Sequence, residues 1–78
     1  MKLEVRLFAN LRDNLPKESR GQAAIVIPDG STTQELINHL NIPRNLPLII
    51  MVNGKRQLES YSLKDGDRVG IFPPVGGG

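Results

Sequence analysis

The chain has no cysteine, no tryptophan and a single histidine, with two phenylalanines and one tyrosine as its only other aromatics. Without cysteine there can be no disulfide, no thiolate metal site and no cysteine nucleophile, which suits a reducing compartment. His39 has no thiol and no second histidine to join it in a relay or a metal site. It reads as a helix-end residue favoured by the helix dipole. No apolar run approaches the roughly 20 residues of a membrane span. Met1-Lys2 leads straight into an alternating pattern rather than an apolar segment with a cleavage site. A cytoplasmic location and no membrane partner are therefore expected. Nothing matches the Gly-x-x-x-x-Gly-Lys-Ser/Thr phosphate loop, and no cluster of metal-ligating residues stands out. Charge of one sign is also lacking. Ten Lys and Arg oppose eight Asp and Glu, a formal +2, and the basic residues are scattered rather than gathered into the dense stripe that marks a nucleic-acid partner. At 78 residues there is room for one core only.

What is present reads as a succession of short elements. Residues 2–8 alternate, with Leu3, Val5 and Leu7 on one face and Lys2, Glu4, Arg6 and Phe8 on the other, the pattern of a half-buried strand. A helical turn over residues 10–14 ends at Pro16, and residues 17–22 read as loop. Residues 23–27 form a second strand stopped by Pro28, and Asp29-Gly30 turns the chain. Ser31-x-x-Gln34 and Thr32-x-x-Glu35 both fit a capping box, so a helix start is signalled in either of two registers. Leu36, Ile37 and Leu40 give the helix an apolar stripe, and Pro43 ends it. Residues 46–52 are strongly apolar and precede Asn53-Gly54, a type I′ hairpin signal. Tyr61 and Leu63 are expected to pack, Lys64-Asp65-Gly66-Asp67 turns the chain, and residues 68–72 form the last strand. The elements run two strands, a helix, two strands and a strand. That is an α+β domain with one mixed sheet and a helix packed across one face, occupying residues 1–72.

The end of the chain is unlike an ordinary terminus. Phe72-Pro73-Pro74-Val75 is followed by Gly76-Gly77-Gly78. Proline removes a donor, so the sheet must stop at Phe72. Glycine lacks a Cβ, so this backbone can pass through a channel too narrow for a side chain. Extended, residues 73–78 would reach roughly 20 Å. They read as a flexible tail presenting the Gly78 carboxylate, which is ionised at neutral pH yet has nothing in this chain to activate it. The plainer reading is a mobile tail of no consequence.

The order of elements, the Asn53-Gly54 hairpin, the Leu63-x-Asp65-Gly66-Asp67 turn, the Phe72-Pro73-Pro74-Val75 exit and the terminal Gly77-Gly78 together resemble the ubiquitin-like sulfur carriers. Leu7-Phe8-Ala9 with Leu11-Arg12 adds to the likeness. Within that family the chain is most similar to the small subunit of molybdopterin synthase, and more distantly to the thiamine sulfur carrier. The resemblance implies a β-grasp fold with about five strands, the first and last being parallel neighbours. It implies that Gly78 is the reacting residue, adenylated with ATP by a ubiquitin-activating-type adenylyltransferase. A cysteine desulfurase or rhodanese would then supply sulfur to make a C-terminal thiocarboxylate. The tail would enter the large subunit of molybdopterin synthase to deliver that sulfur in molybdenum or tungsten cofactor synthesis. On this expectation the protein is a co-substrate with no active site and no bound cofactor of its own. Pro73, Pro74, Val75, Gly76 and Gly77 form the tail, and Gly76 is an additional glycine that should loosen it. Phe8 and Phe72 would meet on the open face, rimmed by Arg6, Arg68 and Arg56, and serve as a partner-binding anchor. Arg56 is a departure, standing where the resemblance suggests an apolar contact.

Three other outcomes share the fold: sulfur transfer to thiamine, cysteine or tRNA; a modifier whose Gly78 forms isopeptide bonds with lysines; and an interaction module with an inert tail.

Overall fold

A computed structural model describes residues 1–43 and 47–73. Among the described residues, five strands and one α-helix, besides two short 3₁₀ turns, form the regular structure: β1 (Lys2–Leu7), β2 (Gln22–Val26), α1 (Thr33–His39), β3 (Ile49–Val52), β4 (Lys55–Gln57) and β5 (Arg68–Phe72). The sheet order is β2-β1-β5-β3-β4. β1 and β5 are parallel at its centre, and the other three pairings are antiparallel. This is the mixed α+β sheet with a helix across one face that the element order implied, with the first and last strands side by side.

Side-chain alternation separates the two faces. Leu3, Val5 and Leu7 of β1, Ile50 and Val52 of β3, and Val69 and Ile71 of β5 are all buried. Leu36, Ile37 and Leu40 from the helical segment join them, with Leu11, Leu15, Ile27, Ile42 and Leu63 closing the cluster from the connections. The helix starts in the second of the two open registers. Thr32 accepts from the Glu35 N–H at 3.3 Å, and Glu35 accepts from the Thr32 N–H at 3.0 Å, so two otherwise orphaned donors are satisfied reciprocally. Tyr61 packs against the core and Leu63 lies within it.

Element bounds differ in places from the sequence reading. β1 ends at Leu7, because Phe8 leaves the ladder to lead a 3₁₀ turn, Ala9–Asn14. β2 begins one residue earlier, at Gln22, because its backbone pairs with Arg6. The segment before it contains a second 3₁₀ turn, Lys17–Ser19. β3 starts only at Ile49, where pairing with Phe72 begins; the expected start at Leu46 lies outside the described residues. Asn53 and Gly54 both have positive φ, 51° and 84°, as a type I′ turn requires.

Candidate functional site

The face opposite α1 carries the residues of interest. β5 is the reason: its alternation sends Val69 and Ile71 into the core and leaves Arg68, Gly70 and Phe72 on the other side. Parallel pairing sets Arg6 beside Gly70, and Glu4 beside Arg68, on one flank. Antiparallel pairing sets Met51 beside Gly70 and Ile49 beside Phe72 on the other. Two segments remote in sequence thus converge without a loop between them.

Phe8 and Phe72 form the upper wall. Their rings stack with centroids 4.1 Å apart and planes within 8°. Both are half-buried, so each ring keeps one surface for solvent or a partner. Phe8 reaches this place because its backbone N–H donates to the Ile71 carbonyl at 3.2 Å as the chain turns away. Below the stack lies a hollow of about 240 Å³, lined by Arg6, Arg68, Gly70, Met51 and Glu4 together with both rings. The Arg6 Nη2 donates to Gln22 Oε1 at 3.0 Å, which holds one guanidinium over the rim. Among the described residues neither Arg6 nor Arg68 has a carboxylate within ion-pair distance. Arg56 is opposite Met51 in register, on the edge strand β4, and does not line the hollow. It extends the positive border outward.

A buried polar network fixes where β5 starts. Asp67 is 7% exposed. Its Oδ2 accepts from the Lys64 N–H at 2.8 Å and its Oδ1 from Asn53 Nδ2 at 2.9 Å. Asn53 Oδ1 in turn accepts from the Arg68 N–H at 3.0 Å. The Asn-Gly turn and the Asp-Gly-Asp turn are thereby locked together at the foot of the strand that carries Arg68, Gly70 and Phe72.

The structure therefore brings together four of the expected anchors, Phe8, Phe72, Arg6 and Arg68, and sets Arg56 apart. Pro73 follows directly from Phe72 and is half-buried. Pro74, Val75, Gly76, Gly77 and Gly78 lie outside the described residues. His39 is exposed at the end of α1, across the sheet from the hollow. Among the described residues no group of three or more His, Asp or Glu could hold a metal. Sequence reasoning missed Gly70, Met51, Glu4 and Gln22. The available signal was a glycine at the centre of an otherwise regular strand pattern, Arg68-Val69-Gly70-Ile71-Phe72.

Comparisons with known proteins agree with this geometry. A model of the ThiS family matches residues 5–78. Small archaeal modifier protein 3 of Haloferax volcanii is 30% identical over an alignment that covers 100% of both chains. A Pyrococcus furiosus protein assigned as molybdopterin converting factor, subunit 1, superposes with a TM-score of 0.75 at 28% identity, covering 96% of this chain and 99% of that one. A protein–protein complex of subunits 1 and 2 of the molybdopterin-converting factor from Helicobacter pylori contains a chain that matches with a TM-score of 0.62 at 26% identity, over 100% of both.

Proposed function

The chain belongs to the ThiS family, of ubiquitin-like β-grasp sulfur carriers and modifiers, and on that premise we propose that it carries sulfur on Gly78 as the small subunit of a molybdopterin synthase. A carboxylate oxygen of Gly78 attacks the α-phosphorus of ATP held by a separate adenylyltransferase, and pyrophosphate leaves. The outer sulfur of a persulfide then attacks the acyl carbon, and AMP departs. Cleavage of the resulting acyl disulfide by a second thiol leaves the thiocarboxylate and a disulfide. This chain's contribution is not acid–base chemistry. It docks the activating enzyme, and later a large subunit, through the open face, and hands over its own terminus along Pro73 to Gly77.

The observation that carries the reading is the hollow walled by Phe8 and Phe72 and rimmed by Arg6 and Arg68, at the point where β5 passes the chain to Pro73. A two-subunit assembly is supported by the similarity to a chain of the Helicobacter pylori complex. A second reading, protein modification through Gly78, is favoured by the similarity to a small archaeal modifier protein.

One experiment separates them. The protein is incubated with ATP, a persulfide donor and an adenylyltransferase from the same genome, then analysed by intact-mass spectrometry. A single oxygen-to-sulfur exchange, lost on deletion of Gly78, is the expected result. An unchanged mass in the presence of AMP formation and of lysine-linked conjugates would replace the carrier reading with the modifier one.

A further inference from the structure

We infer that Gly70 is the specificity-determining residue of the open face, and that the hollow above it receives one leucine- or methionine-sized side chain of a partner flanked by carboxylates. The inference rests on the docking role just proposed.

Gly70 is not demanded by the fold. Gly21 shows what a structural glycine looks like in this molecule: its φ is +79°, and an added Cβ would sit 2.9 Å from the Leu7 carbonyl oxygen. Gly70 differs on both counts. Its φ is not in the left-handed region, and a Cβ there would meet Phe8 Cε1 at 3.5 Å and Phe72 Cε1 at 3.6 Å, ordinary van der Waals distances. Glycine in a strand interior weakens the strand and leaves nothing to pack. What its missing side chain does here is keep the floor of the hollow open between Arg6 and Met51, which flank it across the sheet.

Size and charge identify the occupant. Ligand pockets usually measure about 300–1,000 Å³; a hollow of about 240 Å³ is below that range and suits a single side chain. Its walls are two ring edges and the thioether of Met51, an adaptable apolar lining. The rim is cationic, because Arg6 and Arg68 have no paired carboxylate among the described residues and Arg56 extends the border, against Glu4 alone. Guanidiniums bind carboxylates in a bidentate fork. An acidic segment with one apolar residue matches both features; a basic one would be repelled.

The test compares wild type with Gly70→Val, Gly70→Ala and Arg68→Glu in steady-state adenylation by the cognate activating enzyme, with the carrier as varied substrate. Thermal melting is measured on the same samples. Alanine adds only the Cβ that would rest against both rings, so its melting temperature should match that of wild type; the methyls of valine fill the hollow and press on the same rings, so its melting temperature should fall modestly. Its KM should rise at least ~10-fold, the loss expected from a blocked anchor, with kcat held. Alanine should give a smaller rise in KM. Arg68→Glu should raise KM as valine does and flatten its dependence on salt. Wild-type KM in Gly70→Val, or in Gly70→Ala and Arg68→Glu together should valine fail to fold, overturns this inference and leaves the carrier reading standing. No adenylation of wild type removes the carrier reading, and this one with it.

Discussion

Replacing Asp67 by asparagine should destabilise the protein far more than its near-identical shape suggests. The carboxylate faces two donors, the Lys64 N–H and the Asn53 side-chain amide. Asparagine keeps one oxygen and turns an NH₂ toward the other donor. One charge-assisted hydrogen bond is lost, worth about 1.5–3 kcal/mol, and a donor is left facing a donor. Lys64 and Asn53 are exposed, so water recovers part of the loss, and about 2 kcal/mol is the reasonable figure. For a domain of this size that lowers the melting temperature by about 8–16 °C. It also removes a large share of a total stability on the order of 4–12 kcal/mol. Far-UV circular dichroism during heating, with urea titration as a check, measures it. The partner of the bond supplies a control. Asn53→Ala should lower stability as well, and the double variant should fall short of the sum because both changes break the same link. Should Asp67→Asn melt with the wild type, the two turns are not held by this carboxylate and the account of how β5 is seated is wrong.

Thr32→Ala removes the capping box at α1 and should cost about 1 kcal/mol, about 4–8 °C in melting temperature. Thr32→Ser should restore most of it, and an alanine variant as stable as wild type would show that packing alone holds the helix start. Phe8→Ala and Phe72→Ala should each destabilise. In a urea-measured double-mutant cycle they should couple by about 0.5–1.5 kcal/mol, the worth of a stacked pair beyond its buried area. Strict additivity would mean that the rings do not touch in solution. The same two variants should lose partner affinity at least ~10-fold, read by calorimetry against the activating enzyme.

Local rules made much of this fold readable. Alternation placed Leu3, Val5, Leu7, Val69 and Ile71 on the buried face because a strand's period is two whatever surrounds it. Asn53-Gly54 and a helix start at Ser31 or Thr32 were legible because positive φ and orphaned N–H groups are satisfied within a few residues, while the choice of Thr32 was not. Pairing partners are not local. That Arg6 lies beside Gly70, and Met51 beside it on the other flank, depends on which strands meet. The resemblance, not periodicity, supplied the parallel β1–β5 neighbours. The meeting of Phe8 and Phe72 followed from that placement, whereas the place of Gly70 under both rings depends on pairing that sequence does not show. Asp67 read as one more turn residue, since its bond to Asn53 spans two separate turns. Hydrophobicity marks burial rather than pairing: among the described residues of the apolar run before Asn53, Pro47 and Leu48 stand outside the strand, and the ladder with β5 begins at Ile49.

The two faces of the sheet divide the core from the proposed docking surface along one strand. Val69 and Ile71 are 2% and 0% exposed and belong to the core, while Arg68 and Gly70 lie on the other face and Phe72 stacks there on Phe8. That division would count for little if docking and chemistry were far apart. Phe72, a wall of the hollow, is covalently followed by Pro73, so a partner seated on the open face already holds the root of the tail. From there residues 73–78 span at most roughly 20 Å. On the proposed function, tethering on so short a leash would turn encounter of Gly78 with a reactive centre into an intramolecular event, at an effective concentration on the order of millimolar. A partner that uses both the hollow and the terminus must therefore carry its acidic, apolar-tipped docking segment within about that distance of its catalytic centre.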